Sequence, residues 1–512
     1  MYLIEEFQRL KEVEHRLLHH HLLRLRPRDL RPRFLTARGA GDEEVGGGKQ
    51  LLFLITTQFF FLNRNLYFDE KTMVDISFFV IKKNAYFCKN FKCRMKEVSR
   101  KDYIEQLDRK KRNGLIKIIT GIRRCGKSYL LFTLFKRHLL QIGVPENHII
   151  SLALDDYGNR QFLNPDALYN YVRNQIVDDQ LYYILLDEIQ LVKGFEYVLN
   201  GFLRISNADI YVTGSNSRFL SSDIITEFRG RGDEIRMYPF SYAEVKSIYD
   251  DDDKRLWPQY CRFGGMPLVW LVNNPEDRET YLRNLFNQVY FTDIISRYNI
   301  KGVEEISTLT DILASSVGSL SNPKRISDTF LSNGHKGLSS YTIAHYIDYL
   351  ADAFILHKVS RYDVKGRKYI GTPLKYYFAD IGLRNARLNF RQQEETHIME
   401  NIIYNELLRR RLSVDVGVVS VNTVNPDRRH IRKQLEVDFV VNKADIRYYI
   451  QSALSINDPD KRSQEEQSLI RVDDSFKKII IQGNATEPWH DDNGILHIDV
   501  EQFLLNDDSL NW

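Results

Sequence analysis

The chain has 512 residues, 43% of them hydrophobic and 27% charged, an ordinary globular composition with room for about three domains. Of its 72 Lys/Arg and 68 Asp/Glu, residues 1–94 hold 17 and 11, leaving a near-neutral 55 and 57, so bulk charge gives no argument for nucleic acid and any such surface must be local. The four cysteines, Cys88, Cys93, Cys125 and Cys261, exclude a disulfide framework and suggest a reducing, cytoplasmic setting.

Residues 1–94 read differently from the rest. Leucines alternate with arginines and prolines over 22–33, residues 39–48 are glycine-rich, and 51–62 is an apolar patch. That patch is too short to span a bilayer, so no membrane partner is expected. Cys88 and Cys93 lack the second Cys/His pair of a zinc site. Met95 opens an ordinary polar helical pattern, and we expect it to be the true start, with 1–94 a doubtful extension.

Residues 95–240 alternate strand-like and helix-like runs. Apolar runs at 115–120, 149–154, 182–186, 210–213 and 235–238 are separated by helical patterns at 128–141, 164–175 and 195–205. Near-continuous apolar strands between helices imply a parallel sheet covered on both faces. Ligands in such sheets bind at the strands' carboxyl ends.

The polar motifs fall at those ends. Gly121-Ile122-Arg123-Arg124-Cys125-Gly126-Lys127-Ser128 reads G-x-x-x-x-G-K-S between a strand and a helix. This is the loop whose amides cradle nucleotide phosphates. Lys127 is expected on the β- and γ-phosphates, and Ser128 on Mg²⁺. The run 182–186 ends in Asp187-Glu188, with Asp187 expected to hold Mg²⁺ and Glu188 to activate water. Thr213-Gly214-Ser215-Asn216 ends another strand, and Asn216 is expected to sense the γ-phosphate or position water. A strand-end turn or helix cap accounts for it as simply. Arg229 and Arg231 lie among glycines. Arg231 is expected to reach a neighbouring subunit's phosphate, and a solvated loop arginine is the plain alternative. Cys125 places a thiol in the loop, so its alkylation is expected to block ATP.

These motifs resemble the AAA-type ATPases of bacteria and archaea that pair an ATPase module with a C-terminal domain of unknown function. The resemblance covers about 97 to the C-terminus. It rests on 120–128, 186–190, 213–217, Gly230-Arg231 with Tyr238-Pro239-Phe240-Ser241, Gly264-Gly265-Met266-Pro267, and Tyr377 to Arg384.

Residues 241–300 read as a helical lid or connector containing an acidic run, Asp250–Asp253, and a glycine turn at 264–265. Arg262 is a candidate lid arginine. Residues 301–390 suggest a winged helix: a capped helix at 339–350, a strand, and a basic hairpin tip at Arg361, Lys365, Arg367 and Lys368. DNA contact and a purely protein-contacting winged helix both fit, and His345 reads as a half-buried helix residue. Residues 391–512 resemble a degenerate restriction-endonuclease-like domain. Glu400 and Asp438 match its helix and strand carboxylates. Gln451 and Ala453 stand where its Glu-x-Lys belongs.

The expectation is an α/β chain in three parts: a P-loop parallel-sheet ATPase module, a lid with a winged-helix-like element, and an α/β nuclease-like domain. It binds ATP with Mg²⁺, and its nucleotide state switches the C-terminal half, near DNA or a protein partner, as a homo-oligomer if Arg231 acts in trans. The alternatives are a nucleotide-gated interaction module with little hydrolysis, and an ATP-dependent nuclease, against which the missing lysine argues.

Overall fold

The computed structural model describes residues 97–214, 230–249, 255–332, 338–392, 394–424, 430–456, 458–483 and 487–512. The chain divides into two units, residues 1–87 and 88–512, and everything below concerns the second. The readings for 1–94, for Ser215, Asn216 and Ser217, for Arg229 and for Asp250–Asp253 lie outside the described residues.

After α1 (Lys101–Arg109) come β1 (Ile116–Thr120), α2 (residues 127–141, with Leu130–Phe135 π-helical) and β2 (Ile149–Ala153). Next are α3 (Pro165–Gln175), β3 (Tyr182–Asp187), α4 (Phe195–Phe202), β4 (Ala208–Thr213) and β5 (Gly232–Arg236). The five strands form one parallel sheet in the order β2-β3-β4-β1-β5. β1 and β3 are buried throughout because successive residues enter opposite cores. Ile116, Ile118, Ile184 and Leu186 pack with α3 and α4 on one face, and Ile119, Tyr183 and Leu185 join the other. The expected alternation therefore holds, with boundaries moved by one to three residues. Asn164 caps α3 by accepting from the Ala167 amide at 3.0 Å, and Pro165 supplies the pre-set φ of a first helical turn.

One polar pair interrupts this apolar interior. Lys117, buried on β1, donates to Asp209 at the start of β4 and to the Leu115 carbonyl at 2.9 Å. Tyr211 Oη donates to the second Asp209 oxygen at 2.9 Å. Pairing is what makes burial of these charges tolerable.

A helical region follows: α5 (Tyr242–Lys246), α6 (Leu256–Phe263), α7 (Pro275–Asn284), a π-helical stretch Leu285–Phe291, and α8 (Thr292–Tyr298). Then come α9 (Val303–Ser315), α10 (Pro323–Ser332) and α11 (Ser340–Asp352). Ser339 caps α11, its hydroxyl accepting from the Thr342 amide at 3.1 Å, as the capped pattern predicts. His345 is half-buried there.

The hairpin of β6 (Leu356–Asp363) and β7 (Lys368–Phe378) follows α11, with Lys365, Arg367 and Lys368 exposed at its tip. Arg361 is instead buried, donating to Gln434 Oε1 at 3.3 Å. The hairpin is not free-standing. After α12 (Ile381–Arg387) and α13 (Glu395–Arg409), β8 (Ser413–Val424) pairs in parallel with β6. β9 (His430–Lys443), β10 (Ile446–Ala453), α14 (Pro459–Ile470), β11 (Lys477–Gln482), β12 (Trp489–His490) and β13 (Leu496–Asp499) complete the domain. Its eight-stranded mixed sheet runs β12-β13-β11-β10-β9-β8-β6-β7. The expected division at 390/391 thus falls within one sheet, because pairing of β6 with β8 satisfies the backbone edge a separate wing would leave open.

Two of the quoted motifs interlock between the lid and the C-terminal region. A side chain at Gly265 would place Cβ 2.0 Å from the Phe240 carbonyl oxygen, and one at Gly382 would place it 2.0 Å from that of Phe263. Asp380 caps α12 through the Leu383 amide at 3.0 Å and accepts from the Gly265 amide at 2.6 Å. Burial pushes its pKa up to about 6, although the Gly265, Leu383 and Gly382 amides pull the other way. A carboxyl with a raised folded pKa binds its proton more tightly folded than unfolded. Its contribution is therefore greatest below about pH 4 and is lost as pH rises to about 6. Two pKa units are worth about 3 kcal/mol. We expect Asp380→Asn to remove a fall of that order between pH 4 and 6, read from urea melts across that range.

Candidate functional site

The phosphate-type loop leaves the carboxyl end of β1 and turns into α2. Gly121 has φ +138° and Gly126 φ +102°, a region that favours glycine. A Cβ at Gly121 would lie 2.1 Å from the Met237 carbonyl oxygen. Lys127 is buried, and its Nζ donates to the Gly121 and Ile122 carbonyls at 3.0 and 3.2 Å. Arg123 and Arg124 are exposed, and Arg123 Nη1 lies 3.8 Å from Asp293 Oδ1.

Asp187 ends β3 and is buried. Burial raises its pKa, while the hydrogen bond from the Thr213 hydroxyl and the nearby Ser128 hydroxyl pull the other way. The two expected Mg²⁺ ligands, Ser128 and Asp187, are therefore neighbours. A hydroxyl beside a carboxylate is an oxygen donor set that suits this hard cation. Glu188 follows with φ +53°, a strained conformation of the kind that clusters at functional sites. Its amide donates to Thr213 Oγ1 at 3.1 Å, and Gln190 Nε2 donates to its carboxylate.

Thr213 and Gln190 lie inside the sequence motifs at 213–217 and 186–190, which assign neither a role of its own. Thr213 ends β4, the strand between β3 and β1, so its hydroxyl links the two acidic residues. Arg100 carries no local signal at all. It is buried, and its guanidinium donates to the Cys125 and Tyr238 carbonyls at 3.2 and 3.0 Å and to Glu244 Oε2 at 3.0 Å. It clamps the loop to the 238–244 segment. Arg100→Met is expected to cost about 1–3 kcal/mol by leaving the half-buried Glu244 and the two carbonyls without their charged donor. Arg100→Lys should not restore it, since one ammonium cannot span the fork's acceptors. Denaturant melts check both.

The structure also places Arg231, Arg262 and Cys125. Arg231 is at the amino end of β5, where its carbonyl accepts from the Ile116 amide at 2.8 Å and its side chain donates to Asn200 at 2.8 Å. That is the opposite end of the sheet from the loop, so within one chain it is not part of the site. Arg262 donates to Glu279 and lies over the Phe390 ring at 5.3 Å. Cys125 is fully buried, its Sγ 3.8 Å from the Met237 carbonyl oxygen. The native fold therefore shields the thiol from the alkylation expected above.

In the C-terminal sheet, Glu400 on α13 and Asp438 on β9 come together as the resemblance implies. Gln451 accepts from the Asp438 amide at 3.3 Å and donates to Glu465 at 3.0 Å. A lysine does enter this cluster, from β7. Lys375 Nζ lies 2.6 Å from Glu400, 2.8 Å from Glu436 and 3.3 Å from Asp438. Burial works against its charge, but these carboxylates outweigh it and hold the ammonium protonated. Burial pushes Asp438 up to about 7.

Residues 113–246 match an AAA domain model, and 254–394 match a domain of unknown function, DUF8612. An uncharacterized protein of Haemophilus influenzae is 34% identical over 415 residues, 80% of this chain and 98% of that protein. The chain belongs to this AAA-domain family. At the family level the AAA domain makes it a nucleotide-binding, ATPase-type protein. An uncharacterized protein of Methanocaldococcus jannaschii is 26% identical, over 64% of this chain and 72% of its own length. Among solved structures, the Aeropyrum pernix ORC1 protein in complex with DNA is 13% identical at a TM-score of 0.27, over 57% of this chain and 92% of that one. That score is too low for any functional argument. Among the described residues, no helix is long and apolar enough to cross a membrane.

Proposed function

We propose that this AAA protein binds ATP with Mg²⁺, hydrolyses it, and uses the nucleotide state to change how its C-terminal half is held. The observation that carries this reading is the Thr213 hydroxyl bridging Asp187 and the Glu188 amide, with Ser128 beside Asp187, at the carboxyl ends of neighbouring strands. Bound Mg²⁺ would neutralise phosphate charge there. Lys127 exchanges its carbonyl partners for β- and γ-phosphate oxygens. Glu188, aimed by Gln190, takes the proton of the attacking water. Asn216 reads the γ-phosphate, and Arg231 serves a neighbouring copy. Tyr290, just before α8, donates to the Arg123 carbonyl at 2.7 Å. Reshaping the loop around phosphate therefore moves a hydrogen bond to the lid.

Turnover of ATP by the full chain, with and without DNA or RNA and with the mass of the assembly measured alongside, tests this. Mg²⁺-dependent phosphate release supports the reading. Binding without release leaves the nucleotide-gated interaction module instead, and no binding removes both.

A second reading, phosphodiester cleavage by the C-terminal domain, is favoured by Lys375. It brings to Glu400 and Asp438 the amine missing at Ala453. Glu400 is held below and Asp438 above the usual carboxylate range, the kind of split that separates acid and base roles. Nicking of supercoiled DNA in Mg²⁺ or Mn²⁺ that Asp438→Asn abolishes supports it. Intact plasmid under both ions ends it.

A further inference from the structure

On the far side of the C-terminal sheet, α14 and the β12–β13 hairpin bring Glu466, Asp491 and His497 together. One ligand atom from each lies within 4.8 Å of the others. Asp491 Oδ1 accepts from the Asn493 and Ile495 amides at 2.9 and 2.8 Å, which fixes the carboxylate and leaves Oδ2. His497 is fully buried, and its Nδ1 lies 2.8 Å from Gln482 Nε2. Its Nε2 faces Asp491 Oδ2 across 3.5 Å. Both atoms are buried without a hydrogen-bond partner among the described residues.

That separation is long for a hydrogen bond. It is close to the spacing of two ligands on one tetrahedral ion, whose metal–nitrogen and metal–oxygen bonds are about 2.0–2.2 Å. We propose that Glu466, Asp491 and His497 bind a divalent transition metal of the Zn²⁺ type. An imidazole with two carboxylates favours such an ion over Ca²⁺ or Mg²⁺, which prefer oxygen alone. Gln482 supplies the outer support. With its amide turned, Oε1 accepts from Nδ1–H and leaves the Nε2 lone pair for the ion. Three protein ligands leave at least one position open, and the ion staples α14 to the hairpin.

Arg462 is the competitor. Its Nε donates to Glu466 Oε1 at 2.5 Å, Nη2 is 3.9 Å from Asp491 Oδ2, and its side chain is 37% exposed. It can swing into solvent as an ion enters. Trp489 is the reporter. Its ring stacks on His497 with centroids 4.2 Å apart.

The test uses the full chain without nucleotide, so it is independent of the ATP site. Zn²⁺ retained after equilibrium dialysis is measured for wild type, Asp491→Asn and Arg462→Gln. Asp491→Asn keeps the Oδ1 acceptor of the turn and replaces Oδ2 with an amide. Wild type should retain one more equivalent than Asp491→Asn. Arg462→Gln should bind roughly three- to five-fold tighter, as removal of one exposed ion pair implies. Co²⁺ should quench a fluorescence component that Trp489→Phe lacks. Equal Zn²⁺ in wild type and Asp491→Asn overturns the proposal. So does a wild-type chain whose Trp489 emission is indifferent to Co²⁺, a reading that needs no folded Asp491 variant.

Discussion

Lys127→Ala should abolish ATP binding in any practical assay. The ammonium sits at the mouth of α2, held by the Gly121 and Ile122 carbonyls. Those carbonyls keep it over the loop, so an incoming polyphosphate finds the charge already placed. Two charge-assisted hydrogen bonds to phosphate, at about 1.5–3 kcal/mol each, predict a loss of affinity of roughly 10²- to 10⁴-fold. The fold should survive, because the glycine geometry and the Arg100 clamp do not depend on this side chain. Calorimetric titration with ATP·Mg²⁺ reads the loss, and a thermal melt reads the fold. Unchanged affinity in a folded variant would remove the loop from the account.

Glu188→Gln should do the opposite, leaving binding intact and stopping turnover. The amide keeps the size and the contact with Gln190 but cannot accept a proton from water. Loss of a positioned general base typically costs about 10²- to 10⁴-fold. Asp187 and Ser128 are untouched, so Mg²⁺-dependent affinity should stay within a few-fold of wild type. A phosphate-release assay at saturating ATP separates the two quantities. Wild-type turnover by this variant would show that another group activates the water.

The parts of the molecule legible in its sequence are those whose physics is local. The runs at 116–120 and 182–186 are mostly apolar because both faces of a parallel sheet are covered, with Lys117 the buried exception, and that leaves a pattern to read. The loop at 121–128 carries its chemistry in adjacent residues, and Asp187-Glu188 announces itself by closing an apolar strand. The illegible parts depend on partners far along the chain. Arg100 meets Glu244, and Lys375 meets Asp438, through tertiary packing that no spacing rule encodes. The β6–β7 hairpin reads as a wing because its own turn is local, whereas its parallel pairing with β8 is not. Gly265 reads as a turn, yet its lack of a side chain, like that of Gly382, serves close packing against the Phe240 and Phe263 carbonyls. Arg231 was assigned from its glycine context, and the direction of β5 decided which end of the sheet it occupies.

The coupling of nucleotide state to the C-terminal half is the central claim, and hydrogen–deuterium exchange in Glu188→Gln tests it most directly. The Tyr290–Arg123 contact joins the loop to residues 285–298. With ATP·Mg²⁺ held unhydrolysed, exchange should change at 121–128 and also at 285–298, and ADP should give a different level at the second segment. Protection at 121–128 with exchange at 285–298 identical in ATP, ADP and no nucleotide would contradict the account.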